Sequence, residues 1–252
     1  MSRLIGFSTG AIANGDFSKA LELLRHHDFN AIELSALRFH EVTPLMASLD
    51  SIDLTSYKHV AFHAPSSYAA HEEAGLIDLL NKLPKTWPIV VHPDAIFNFD
   101  LWRRLGRRVA IENMDKRKAI GRTKLELAKI FTMLPDASMC FDIGHARQFD
   151  ASMLEAFLIL KAFKDRVVQI HVSEVDALNK HERISFAAEI AFRQLAPFIP
   201  PSIALILESS VKESEISNEA IKALSIFSPK ENALGTIFEG ASNVSGLGIP
   251  QF

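Results

Sequence analysis

Residues 139–171 read MCFDIGHARQFDASMLEAFLILKAFKDRVVQIH. The stretch opens on an apolar run, 139–142, and closes on a second, 167–171. Between them, 151–163 carries apolar side chains at helical spacing, with Asp150 placed to cap its N-terminus. Two short apolar runs joined by a helix make one strand–helix–strand unit of a parallel sheet buried on both faces. Each run leads into polar residues: Asp142-Ile143-Gly144-His145 after the first, His171-Val172-Ser173 after the second.

The same unit repeats outward along the chain. Upstream runs lie at 4–8, 31–34, 60–63, 89–92 and 109–112, and one more lies downstream at 203–208. Further helical patterns cover 16–27, 124–134, 185–195 and 214–227; Pro135 and Pro197 stop the second and third of these. Eight runs whose ends are about 20 to 37 residues apart predict an α/β fold, a closed (β/α)8 TIM barrel, as a single domain over residues 1–229. An open doubly wound sheet is the structural alternative, but no Gly-rich dinucleotide fingerprint or P-loop follows any run. Residues 230–252, rich in Gly, Ser and Asn, are expected to form a C-terminal tail or a loop packed on the barrel.

Composition narrows the class. The chain has 252 residues, 48% hydrophobic and 23% charged, which excludes a disordered polymer. A net charge of −3 gives no global attraction to nucleic acid or anionic lipid. Cys140 is the only cysteine, so neither an internal disulfide nor a cysteine-rich zinc site can form, and a reducing compartment is implied. No apolar run approaches about 18 residues. The N-terminal stretch is too short and interrupted for a signal peptide. A cytoplasmic protein with no membrane partner is expected.

Barrel enzymes place their chemistry at the C-terminal ends of the strands. Here six consecutive runs end in His63, His92, Glu112, Asp142, His171 and Glu208, and the run 31–34 adds Glu33. A lone histidine at a strand end is ordinarily a satisfied polar residue. Glu112, Asp142 and Glu208 are stranger, because each follows an apolar run and an unpaired buried carboxylate is costly. Three carboxylates converging with imidazoles need positive charge between them, and a divalent ion such as zinc or manganese supplies it. His145, a turn beyond Asp142, and His181, in the loop after the seventh run, reach the same face. His26, His27, His40, His59 and His71 read as structural or solvated, and Cys140 as core. The basic cluster Lys116, Arg117, Lys118 and Arg122 reads as a solvated loop, with phosphate attraction as the alternative.

These residues fall into six short motifs in a set order: His63-Ala64-Pro65, Val91-His92-Pro93, Ile111-Glu112-Asn113, Phe141-Asp142-Ile143-Gly144-His145, Ile170-His171-Val172-Ser173 and Leu207-Glu208-Ser209. The series resembles the xylose-isomerase-like TIM-barrel superfamily, with the ligand pattern of its endonuclease IV branch, the AP endonuclease family 2. The resemblance implies that Glu112, Asp142, His171 and Glu208 ligate metal, as across the superfamily. In isomerase and epimerase members the two glutamates also act as acid and base. The endonuclease branch implies more: His63 and His92 on one metal, Glu112 bridging to a second, His145 and His181 at a third, and Tyr68 against DNA. The branch carries an Asp where this chain has Asn179, with Asp176 close by.

Hydrolysis of a phosphate ester or phosphodiester, in the manner of endonuclease IV, is the expected activity. It would use two or three divalent ions, zinc first, with manganese or iron as the other choices. Glu112, Glu208 and His145 are the expected catalytic groups, with Arg147, Lys180 and Arg183 neutralising phosphate. The substrate would be a small phosphorylated or sugar compound, or damaged DNA. A one-metal sugar or sugar-phosphate isomerase or epimerase is the main rival. There Glu112 and Glu208 shuttle a proton beside a carbonyl, and the compact loops and Glu33 favour it. A non-haem iron oxidase and a barrel without catalysis complete the alternatives, and the oligomeric state stays open.

Overall fold

The computed structural model describes residues 3–228. The strands in chain order are β1 (Ile5–Ser8), β2 (Ala31–Ser35), β3 (His59–His63), β4 (Ile89–Val91), β5 (Val109–Glu112), β6 (Ser138–Asp142) and β7 (Val167–Val172). Then come two-residue strands β8 (Glu174–Val175) and β9 (His181–Glu182), and finally β10 (Ala204–Leu207). The eight longer strands form a closed barrel in the order β1-β10-β7-β6-β5-β4-β3-β2, every pairing parallel. Because β1 pairs with both β2 and β10, the doubly wound alternative is excluded. Helices separate the strands, so this is the expected (β/α)8 barrel. The expected tail, 230–252, lies outside the described residues.

The two-residue period of a strand divides its side chains between two environments. One set, including the fully buried Phe7, Phe62 and Phe141, packs outward against the helices and forms the main core. The other set points into the barrel. There the apolar side chains are few and small: Ala31, Ala204 and Ile206 in one cluster, Val90, Ala110 and Cys140 in another. Glu33, Ser35, His63, Glu112, Asp142 and His171 share this inward parity. The alternation that fills the strand–helix layer thus turns the polar strand ends toward the barrel axis.

Two local features set the register. Pairing of β6 with β7 shifts between Met139 and Cys140, which brings Asp142 opposite His171. Asn113, just beyond β5, accepts from the Asp142 backbone N–H at 2.8 Å and donates to the Asp142 carbonyl at 2.7 Å. A buried amide therefore ties together the ends of the strands that carry Glu112 and Asp142.

Several expectations about helices need correction. A helix, Ile143–Phe149, follows β6 directly where only a turn was expected. Asp142 caps it, its Oδ1 accepting from the His145 N–H at 2.6 Å. Asp150 does not cap a helix at 151. The next helix runs Leu154–Phe163, and Asp150 instead holds the bend before it, accepting from the N–H groups of Ser152 and Glu155. The helix Phe39–Ser48 forms although Pro44 lies inside it. Among the described residues, no helix is long and apolar enough to cross a membrane.

Candidate metal centre

Glu112 ends β5 inside the barrel and is 1% exposed. Its two carboxylate oxygens face two different histidine pairs. Oε2 lies 3.2 Å from His63 Nε2 and 3.1 Å from His92 Nε2. Oε1 lies 3.2 Å from His145 Nδ1 and 3.4 Å from His171 Nδ1. A carboxylate addressed on both oxygens in this way is disposed to bridge two cations.

The potential ligand atoms form overlapping groups, each with its atoms within 4.8 Å of one another. His63, His92 and Glu112 make one, and Glu112, Asp142, His171 and Glu208 make another. Those are the two sets expected from the sequence. The second group holds three carboxylates against one imidazole. Two like charges about 4 Å apart repel by about 4 kcal/mol at an effective dielectric of about 20, so the group fits a divalent cation. Asp142 Oδ2 supplies the geometric counterpart: it is buried, has no hydrogen-bond partner, and faces His145 Nδ1 at 3.4 Å.

A third group comprises Asp142, His145 and His181. Here Asp142 supplies the carboxylate. Asn179, with a left-handed φ of 60°, instead accepts through Oδ1 from the Gln148 amide. Asp176 is likewise occupied, accepting from the backbone N–H groups of Leu178 and Lys180 within its own turn.

Hydrogen bonds set the orientation of the histidines. His63 Nδ1 donates to the Ala64 carbonyl at 2.8 Å, which turns Nε2 toward Glu112. His145 Nδ1 donates to the Asn113 carbonyl at 3.0 Å. His181 Nδ1 meets the Ser173 hydroxyl at 2.8 Å and lies 3.4 Å from Glu208 Oε2.

Protonation follows from this crowding. Burial penalises charge on His63, but the hydrogen bond to Glu112 and the fields of Glu33 and Glu208 outweigh it, and its pKa is pushed up to about 9. His145 is likewise raised to about 10, burial being outweighed by Asp142 and Glu112. Burial drives Asp142 up to about 7, against the pull of His145. Burial also opposes charge on Glu208, yet His171 and His181 hold its carboxyl well below the usual range. Without a cation the cluster stores protons, so a cation entering it must displace them.

His63, His92, Glu112, His145, His181 and Glu208 open onto a cavity of about 680 Å³. Ser8, Ser35, Ser66 and Ser210 contribute hydroxyls to its wall, and Arg117, Lys118 and Lys180 contribute positive charge. Of the four expected substrate-binding residues, only Lys180 lines it. The Arg147 guanidinium pairs with Glu174 at 2.8 Å, and Arg183 pairs with Glu215. The Tyr68 ring packs edge-on against Phe97, and its hydroxyl lies 3.5 Å from Glu73 Oε1. Arg117, from the cluster read by default as a solvated loop, does reach the cavity, with its nearest carboxylate contact, to Asp115, at 4.0 Å. Asn113 was missed as a positioning residue, although its place next to Glu112 in Ile-Glu-Asn was the available signal.

The fold and the clustered side chains together define a (β/α)8 barrel whose C-terminal mouth gathers His, Asp and Glu groups that could hold a metal ion. Among solved structures, the chain is similar to a protein described as a candidate sugar phosphate isomerase/epimerase from Anabaena variabilis. The TM-score is 0.54 at 13% identity, over 88% of each chain. It is also similar to a candidate mandelate racemase/muconate lactonizing enzyme from Labrenzia alexandrii, with a TM-score of 0.53 at 13% identity over 82% of this chain. The chain spans only 56% of that structure's length. A further match, SacUVDE, has 18% identity, a TM-score of 0.49, and coverage of 82% of this chain and 83% of that one. At these identities the likeness concerns the barrel fold. No family model and no curated protein matches the sequence.

Proposed function

We propose that this chain is a divalent-metal-dependent hydrolase acting on a phosphate ester or phosphodiester. The supporting observation is the double address of Glu112, with His63 and His92 on one oxygen and His145 and His171 on the other. A one-metal site would have no use for the first pair as ligands. Bound divalent ions would lower the pKa of water toward neutrality and stabilise both attacking and leaving oxygens. His63, His92 and Glu112 would hold one ion; Glu112, Asp142, His171 and Glu208 would hold the second. His145 and His181, with Asp142, would hold a third or contact the phosphate. The mixture of imidazoles and carboxylates suits zinc, then manganese. Lys180 and Arg117 would neutralise the phosphate charge at the cavity wall, and that cavity suits one phosphorylated group rather than an extended surface.

The test uses protein loaded with Zn²⁺ or Mn²⁺ and offered bis(p-nitrophenyl) phosphate and abasic DNA. Metal-dependent cleavage of either is expected. His63→Ala and His92→Ala should each slow it by on the order of 10²–10³-fold, the scale of losing one electrostatic stabiliser. Full activity in both variants would contradict the hydrolase reading. The hydroxyl-rich wall (Ser8, Ser35, Ser66, Ser210) favours the second reading, a sugar isomerase or epimerase with Glu112 and Glu208 as acid and base. Solvent deuterium incorporated beside a sugar carbonyl, without ester cleavage, would replace the first reading by the second.

A further inference from the structure

Below the metal-binding groups a second polar chain runs through the barrel. Glu33, on β2, is 0% exposed and does not line the cavity, so no substrate touches it. Its Oε2 lies 3.0 Å from His171 Nε2 and 2.6 Å from Gln169 Nε2. Gln169 Oε1 lies 2.9 Å from Nε2 of His59, at the foot of β3. Three strands, β2, β3 and β7, thus contribute to one line of hydrogen bonds beneath His171.

The line has a direction. His59 Nε2–H donates to Gln169 Oε1, which fixes the amide so that its NH₂ group faces Glu33. His171 Nε2 is also 3.0 Å from that NH₂ group, which offers no acceptor. The acceptor for a proton on His171 Nε2 is therefore Glu33 Oε2. With that proton in place, Nδ1 of neutral His171 carries the free lone pair. Nδ1 is the atom that faces Glu112 and Glu208, each at 3.4 Å, and Asp142 at 4.0 Å.

We propose that Glu33, oriented by Gln169 and His59, is the positioning residue of the metal centre: it fixes His171 as the Nε2–H tautomer and so presents Nδ1 to a divalent cation. A carboxylate behind a ligating imidazole holds the ring's tilt and makes its lone pair a stronger donor. The inference rests on the metal-centre reading but not on any particular reaction. It gives Glu33 a role that does not depend on the isomerase or epimerase reading its place in the sequence favours.

The test measures metal, not turnover. Zn²⁺ affinity is read by competition with a chromophoric chelator, and site geometry by the visible absorption of the Co²⁺-loaded protein. Glu33→Gln keeps the side-chain size and removes the charge. It should weaken the tightest Zn²⁺ site by about 10- to 100-fold and shift the Co²⁺ spectrum. Nitrogen-15 NMR of the Zn²⁺-loaded wild-type protein gives a second readout that needs no variant. It should show His171 protonated on Nε2 and bare at Nδ1. Wild-type affinity and an unchanged Co²⁺ spectrum in Glu33→Gln would overturn the proposal, as would a proton on His171 Nδ1. Failure of the wild-type protein to bind Zn²⁺ or Co²⁺ would overturn the metal-centre reading itself and this inference with it.

Discussion

Glu112→Gln is expected to lower metal-dependent activity by at least about 10³-fold and to leave the protein unable to retain two ions. The substitution changes little in size, so the loss must come from chemistry. Glu112 is the one residue shared by the His63–His92 group and the Asp142–His171–Glu208 group. An amide offers one oxygen where the carboxylate offers two, and it carries no charge. Whichever way Gln turned, one histidine pair would face an NH₂ group in place of an oxygen, across the 3.1 to 3.4 Å now spanned from Glu112. A single-ligand change at His92 should be milder, because it touches one group only. Two ions per chain and near wild-type turnover in Glu112→Gln would show that Glu112 does not bridge.

Gly6→Ala is expected to have the largest effect on folding. Gly6 lies in β1 beside Ala31 of β2, at the inward-facing parity. A Cβ at Gly6 would fall 1.6 Å from the Ala31 carbonyl oxygen and 2.5 Å from its carbon. Both atoms are backbone in a strand pairing, so no rotamer change relieves the clash and the barrel must open locally. A cost of about 3 kcal/mol or more follows, equivalent to a fall in Tm of roughly 10 °C for a domain of this size. Gly75 provides the contrast. It lies on the exposed side of the helix Glu73–Leu80, and a Cβ there meets nothing within 4 Å. Gly75→Ala should raise stability by up to about 1 kcal/mol through helix propensity. Thermal unfolding followed by circular dichroism checks the pair, and equal Tm values for wild type and Gly6→Ala would contradict the packing described.

Much of this architecture is legible in the sequence because parallel strands buried on both faces are short, apolar and regularly spaced. The eight runs correspond to the eight barrel strands within about a residue at each end. The candidate ligands were legible for a related reason: Glu112, Asp142 and Glu208 are carboxylates ending runs with nothing else polar in them, a pattern that burial alone does not favour. Other features depend on contacts between distant residues. The sequence carries no sign that Arg147 and Arg183 are engaged by Glu174 and Glu215, while Arg117 is left to face the cavity. The helix Ile143–Phe149 leaves little trace in the sequence, because Asp142 has the pattern of a ligand and its capping of the His145 N–H depends on the chain's turn after β6. Glu33 was visible as an inward carboxylate. What the sequence cannot show is that it lies a layer below the cavity, against the far side of His171.

The central claim is that the barrel mouth holds more than one divalent ion. Elemental analysis of protein purified without added metal or a metal-binding tag tests it most directly. At least two zinc, manganese or iron ions per chain are expected, falling by one in His63→Ala. No bound metal, or a single ion lost on mutating Glu208 but indifferent to His63→Ala, would contradict it.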